Sequence, residues 1–292
     1  MLPTLEMKAC LRTGFPFILK NIFKAFVHAP VDSQHWSGPV INGSPHPPEQ
    51  ILHIFSIPLA IINSLVSRCH LENTTITSLV VVLIAQRIAV MYPDCSRFSC
   101  CVPCSVRKFT GHGQRDMGCY VSSTHLYFSS EEFPPHGYIP CRALRSDDTT
   151  IDDQQLWDGA RECKSQIQKF ISTPYNHNVA LLRYVYNLPK YFLDMRGKKR
   201  EYSFEVTNIG VVDGGIGEDG KPMRKATFDK ARFTGNVSKF SAPFCFSICT
   251  VKNGFMIVGL GWEKNVVSDE NAIGLGEWLE SSLSRLSSET NE

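Results

Sequence analysis

Acid–base catalysis needs an ionisable side chain held where a proton must move. Two histidines here have an aspartate four residues on, His28 with Asp32 and His112 with Asp116. His28 opens a proline-rich segment and His112 lies in a polar Gly/Gln loop, so both read as solvated residues before catalysts. Cys101-x-x-Cys104 has the spacing of half a zinc site, yet no second pair accompanies it and the nearest histidine, His112, is in that loop. Cys100 and Cys104 lie on one face of a strand, which explains their burial without a metal, so no metal is expected. No Gly-x-Ser-x-Gly elbow and no Gly-x-x-x-x-Gly-Lys-Ser/Thr loop occurs. Glycines 214, 215 and 217 only weakly echo a dinucleotide loop, because they sit in a hairpin and not at a helix start. Eleven cysteines and nine histidines leave a thiol–imidazole pair open, with nothing to single one out.

The stretch most suited to a ligand is 205–215, EVTNIGVVDGG. It reads as a strand ending at Asn208 and Gly210, with Asp213-Gly214-Gly215 closing the turn before the next strand. Small, polar, backbone-exposing residues at a strand end fit the rim of a channel. On local pattern alone, a plain hairpin turn is the simpler reading.

The elements that must position these residues follow from periodicity. Residues 15–27 are apolar at 15, 18, 19, 22, 23 and 26, opposite Lys20 and Lys24. That is an amphipathic helix, read as core-facing ahead of membrane-surface contact. Residues 28–50 form a Pro-rich linker that Trp36 anchors. A strand is expected at 51–57, a helix at 59–69, and a buried helix at 76–91, capped by Thr74 or Thr75 and stopped at Tyr92-Pro93-Asp94. Strand 98–108 contains Pro103, which points to an edge or a bulge. Strand 117–128, an acidic Pro-rich loop at 129–148 and a helix at 151–172 come next. A helical stretch at 179–195, broken at Pro189, precedes a basic loop at 197–201. Strands at 202–207, 226–233, 243–252 and 255–262 follow, the last two joined by a two-residue Asn253-Gly254 hairpin, and helix 269–286 closes the pattern. The fold class is α/β (α+β): a mixed β-sheet flanked by helices, not a parallel doubly wound one.

Composition narrows the partners. A net charge of +2 gives no case for nucleic acid. The run 79–85 is too short to span a bilayer, and residues 1–9 lack the charged start and apolar core of an export signal. An odd, scattered set of eleven cysteines then fits reduced thiols in the cytoplasm.

Taken in order, several short motifs resemble one family. Trp36-Ser37-Gly38-Pro39, the 76–91 helix with Tyr92-Pro93-Asp94, Pro103-x-Ser105-x-Arg107-Lys108-Phe109-Thr110-Gly111, Met117-Gly118-x-Tyr120-Val121-Ser122-Ser123, Glu205-x-x-Asn208-x-Gly210 and Val251-Lys252-x-Gly254 through Trp262 are similar to the C-terminal half of fungal alcohol acetyltransferases. That family resembles the chloramphenicol-acetyltransferase and condensation enzymes. The resemblance implies two similar halves meeting at a channel, with 1–50 the remnant of the N-terminal half plus linker and 51–292 a C-terminal acyltransferase-like domain. It implies acetyl-CoA as co-substrate, no bound cofactor, and an alcohol or amine as acceptor. A His-x-x-x-Asp-Gly motif in the N-terminal half supplies the base in that family. Here His28 and His112 both lack the glycine, and His28 lies beside the linker motif, so the catalytic histidine is expected to be missing and the chain to be truncated, with an N-terminal half as its missing partner. The alternatives are a non-catalytic remnant or partner-binding half-domain. Asn208 and Gly210 are expected to face the channel, where an amide or backbone N–H either stabilises an oxyanion or only holds the turn. Tyr120, Ser122 and Ser123 either line the same channel or pack within the strand. The family further implies a cytoplasmic site, with peripheral contact to endoplasmic reticulum or lipid droplets.

Overall fold

A computed structural model describes residues 11–26, 32–43, 49–113, 116–141, 153–235 and 237–288. Seven strands form one mixed sheet, in the order β1 (Gln50–Ile57), β7 (Met256–Glu263), β6 (Phe244–Val251), β5 (Phe204–Val212), β2 (Arg97–Ser105), β3 (Val121–Ser129) and β4 (Ile139–Pro140). β2, β5 and β6 are parallel, while β3, β7 and β1 attach by antiparallel ladders. Alternation puts Phe98, Cys100, Leu126, Phe128, Phe204, Val206, Phe244 and Trp262 on one face. Helices α2 (Leu59–Leu71), α3 (Ile76–Met91), α4 (Asp153–Ser172) and α6 (Asp269–Ser288) cover that face and complete the core. α3 is buried all round from Leu79 to Ala85 because it lies between the sheet and the flanking helices. Each fully buried Leu, Ile or Val there contributes about 2 kcal/mol. Its start is fixed by Thr75, whose Oγ1 accepts from the Ser78 N–H at 3.2 Å, while Thr74 donates to the Ala160 carbonyl.

Among the described residues, these helices leave the other face of the sheet to loops. A 3₁₀ turn, Asn178–Tyr184, packs on β3, and the loop from 213 to 243 brings Thr234 and Val237 over Gly259 and Gly261. Trp36 anchors its segment by stacking on Tyr92 at 3.9 Å and on Phe244 at 5.7 Å.

Several expectations are corrected. β5 does not end at Asn208–Gly210: it continues to Val212 through a bulge between Asn208 and Val211, and its neighbour β6 is parallel, so 213–243 is a crossover and not a hairpin turn. Residues 226–233 form no strand but run as loop. β2 is interior, not an edge; Pro103 is tolerated because the ladder to β5 is confined to Cys100 and Cys101. β2 stops at Ser105 and gives way to a 3₁₀ turn, Arg107–Phe109, and β3 begins only at Val121. Within 179–195 the only α-helix is α5 (Leu188–Leu193), which Pro189 starts and does not break, since its missing N–H is an orphan at that position. The last hairpin closes with three residues, Val251 accepting from Gly254 and pairing with Phe255, and Asn253 at φ 59°. α1 (Phe15–Phe26) is not core-facing, because Phe15, Leu19 and Phe23 are all exposed. No single helix among the described residues is long and apolar enough to cross a membrane.

Candidate functional site

The chain leaves β2 towards β3 on one side, and leaves β5 towards β6 on the other. Adjacent parallel strands whose connections diverge in this way open a crevice at their carboxyl ends, where open α/β sheets bind ligands. Beyond the paired Cys101 and Glu205, three residues on along both strands stand Cys104 and Asn208. Ser122 is the register partner of Cys104 on β3. The first turn of α3 meets this end of the sheet, with Asn208 Nδ2 donating to Thr77 Oγ1 at 3.0 Å.

Asn208 also accepts the Gly210 N–H on Oδ1 at 2.8 Å. This side-chain turn holds the bulge, and Gly210 supplies the φ of 83° that a side chain resists. The Gly210 N–H is thus committed, while one of the two Asn208 amide hydrogens is spent on Thr77. Further along, Gly214 passes so close to the Phe228 carbonyl that a Cβ would collide with it. Ser122 is buried, and its Oγ has no hydrogen-bond partner among the described residues. Cys104 beside it is a poor nucleophile, its thiol pushed by burial up to about 11.

Asn208, Gly210 and Ser122 therefore gather at one end of the sheet. Tyr120 sits outside this group, in a small cluster with Leu11, Val106 and Ala180. His112 stacks on its ring at 4.9 Å, Arg107 lies over it at 4.5 Å, and His112 Nδ1 is 3.4 Å from Asp116. His28 lies outside the described residues. No group of His, Cys, Asp and Glu among the described residues has the arrangement of a metal site.

Two further histidine contacts lie on the loop-covered face. His35 Nε2 is 2.8 Å from Ser99 Oγ, with Asp32 near. Ser99 is fully buried and gives its proton to the Glu201 carbonyl at 2.9 Å, so this pair is structural and not an activated nucleophile. His125, on β3, is 2.7 Å from Tyr202 Oη through Nε2 and 3.3 Å from Asn178 Nδ2, and its Nδ1 is 3.9 Å from Glu201. Strand register continues that row as His125, Cys101, Glu205 and Cys245. Burial raises the Glu205 carboxyl and the Tyr202 phenol, and pushes the Cys101 thiol up to about 12. The sequence carries one trace of this cluster, the alternation that sets Ser123, His125 and Tyr127 opposite Leu126 and Phe128. A cavity of about 740 Å3 opens elsewhere, beside Ile41, Arg196 and Lys264; the Lys264 ammonium there is paired with Glu49 at 2.9 Å.

No protein-family model matches the chain. It is 25% identical over 281 residues to a probable alcohol acetyltransferase of Fusarium pseudograminearum, covering 94% of this chain and 53% of that protein. It is 24% identical over 222 residues to a probable alcohol acetyltransferase of Aspergillus fumigatus, covering 71% of this chain and 44% of that one. The chain spans about half the length of the curated relatives it matches. Among solved structures, the trichothecene 15-O-acetyltransferase TRI3 of Fusarium sporotrichioides superposes with a TM-score of 0.65 at 12% identity, over 98% of this chain and 55% of that one. The epimerization domain from the third module of tyrocidine synthetase B gives 0.58 at 10% identity, over 99% and 61%. The fold is that of the condensation and chloramphenicol-acetyltransferase-like proteins, and the resemblance to alcohol acetyltransferases extends over nearly the whole chain.

Proposed function

We propose that this chain is the C-terminal half of a two-half acyltransferase that moves an acetyl group from acetyl-CoA to a small alcohol. The observation that carries the reading is the similarity to a probable alcohol acetyltransferase over 94% of the chain, together with its covering 53% of that protein's length. An alcohol is a weak nucleophile until a base takes its proton, whereas a thioester is already activated. No His-x-x-x-Asp-Gly occurs in the 292 residues, so in this reading the base comes from an N-terminal half. The crevice at the carboxyl ends of β2 and β5 would then form part of the channel, with the second Asn208 amide hydrogen directed at the oxygen that gains charge. Exposed Tyr184, Tyr186, Tyr191 and Phe192 supply the aromatic surface such a half would cover. In the cytoplasm, exposed Phe15, Leu19 and Phe23 on α1 would give peripheral contact with a membrane surface.

Turnover of acetyl-CoA with medium-chain alcohols, followed as free CoA and as ester, tests this. The chain is assayed alone and co-expressed with the part of the Fusarium pseudograminearum relative that it does not cover. Silence alone and ester formation together are expected. Silence in both, with a folded chain, would defeat the acyltransferase reading. Ester from the chain alone would defeat the externally supplied base.

A further inference from the structure

We propose that the free edge of β1 is a homodimer interface, on which β1 of a second copy of this chain pairs antiparallel across a two-fold axis at His53. It stands whether or not the acyltransferase reading does. Three observations support it.

The first is that the two edges of the sheet are unequal. At one edge β4 is only two residues long. At the other, β1 runs for eight residues against β7 in unbroken register. From Gln50 to Ile57 it contains no proline and no charged residue. Short strands, bulges, prolines and lysines are what keep a sheet edge from pairing, so β4 is a protected edge and β1 is not.

The second is which backbone groups point outward. The Lys264 N–H donates to the Glu49 carbonyl at 2.9 Å, and these two residues stand opposite each other one step beyond Gln50 and Glu263. Hydrogen-bonded pairs alternate along an antiparallel ladder, so Ile51, His53, Phe55 and Ile57 exchange their bonds with β7. The N–H and C=O groups of Leu52, Ile54 and Ser56 therefore face away from β7, and they have no backbone partner among the described residues. The side chains of Leu52 and Ile54 stand on the loop-covered face, 43% and 37% exposed.

The third is self-complementarity. Reversing β1 about His53 lays Leu52 on Ile54, Ile51 on Phe55 and Gln50 on Ser56, so apolar meets apolar and neutral polar meets neutral polar at every step. The outward groups belong to even-numbered residues, and this register pairs even with even. Leu52 and Ile54 of one copy thus exchange both N–H···O=C bonds with Ile54 and Leu52 of the other. A foreign strand requires no such palindrome, whereas a second copy does. At the axis the His53 ring lies against α6 at Gly276, where a Cβ would collide with it. The contact is isologous and closes at two copies.

Sedimentation equilibrium and amide hydrogen exchange of the full chain test this together. The mass should rise from one chain to two with concentration. Over the same range the Leu52 and Ile54 amides should gain roughly tenfold protection, while those of Ile51 and His53 are protected throughout. Ile54→Pro removes one outward N–H and leaves the β7 ladder its bonds, so it should fold and stay monomeric. Leu52→Lys with Ile54→Lys sets lysine opposite lysine and should also be monomeric, whereas Leu52→Glu with Ile54→Lys sets glutamate opposite lysine twice and should still dimerise. The charged pairs decide the matter where the proline variant does not fold. A chain monomeric up to about 1 mM would overturn the proposal. So would a dimer that the two lysines leave intact or that the Glu/Lys pair abolishes. Protection of Leu52 and Ile54 at every concentration would assign the edge to a segment of the same chain. Protection only beside the uncovered part of the Fusarium pseudograminearum relative would assign it to that part, and either result overturns the homodimer.

Discussion

Removing the Asn208 side chain should loosen the end of β5 by a calculable amount. Asn208→Ala deletes the bond from Nδ2 to Thr77 Oγ1 and the bond from the Gly210 N–H to Oδ1. Each contributes about 1 kcal/mol net, so the variant should lose about 2 kcal/mol. Asn208→Asp still accepts from Gly210, and its carboxylate can accept from the Thr77 hydroxyl in place of the lost N–H donation, so it should lose less than the alanine variant, at most about 1 kcal/mol. Thr77→Val breaks the same helix–strand bond from the other side, so combining it with Asn208→Ala should show a coupling of about 1 kcal/mol. Urea unfolding, with midpoints compared at unchanged slope, measures all of these. A loss under roughly 0.5 kcal/mol for Asn208→Ala, or an Asn208→Asp as damaged as the alanine variant, would refute the turn-holding account.

Other consequences are as direct. Trp36→Ala removes stacking on both Tyr92 and Phe244 and should cost about 3 kcal/mol, read by the same unfolding series. Burial raises the Glu205 carboxyl, so the folded chain holds that proton more tightly than the unfolded one; the resulting stability is present at low pH and is lost as pH rises from 4.5 through the raised value. Glu205→Gln should therefore melt higher than the parent near neutral pH and no differently at low pH, by scanning calorimetry. Among the described cysteines, exposed Cys119 should react first with a disulfide reagent, while buried Cys69, Cys101 and Cys163, with thiols pushed up to about 12, wait for unfolding; mass mapping of the labelled sites decides.

What the sequence disclosed was local. α3 is legible to the residue because a threonine cap starts it and Pro93 follows its end. The β6–β7 hairpin is legible because Asn253-Gly254 sits between two apolar runs. Pairing between distant segments left no local mark. Nothing near residue 205 says that β5 lies parallel to both β2 and β6, so its bulge reads as a strand end. The two-residue β4 is too short to leave a pattern. Asn208 and Gly210 were legible as special backbone, but the partner Thr77 lies 131 residues away. His125 was one of nine histidines, and only the fold brings Tyr202, 77 residues on, to its ring.

The parallel joining of β5 to β6 through a helix-free loop bears on the order in which the molecule assembles. Closing about 30 residues of flexible chain costs roughly 3 kcal/mol before the first ladder bond forms. The β6–β7 hairpin closes over three residues and avoids that cost. During refolding, β6 and β7 should thus acquire amide protection early, with β1 joining the free side of β7. The seam between β5 and β6 should zip last, so a nick anywhere from 213 to 243 would slow refolding far less than one between β6 and β7.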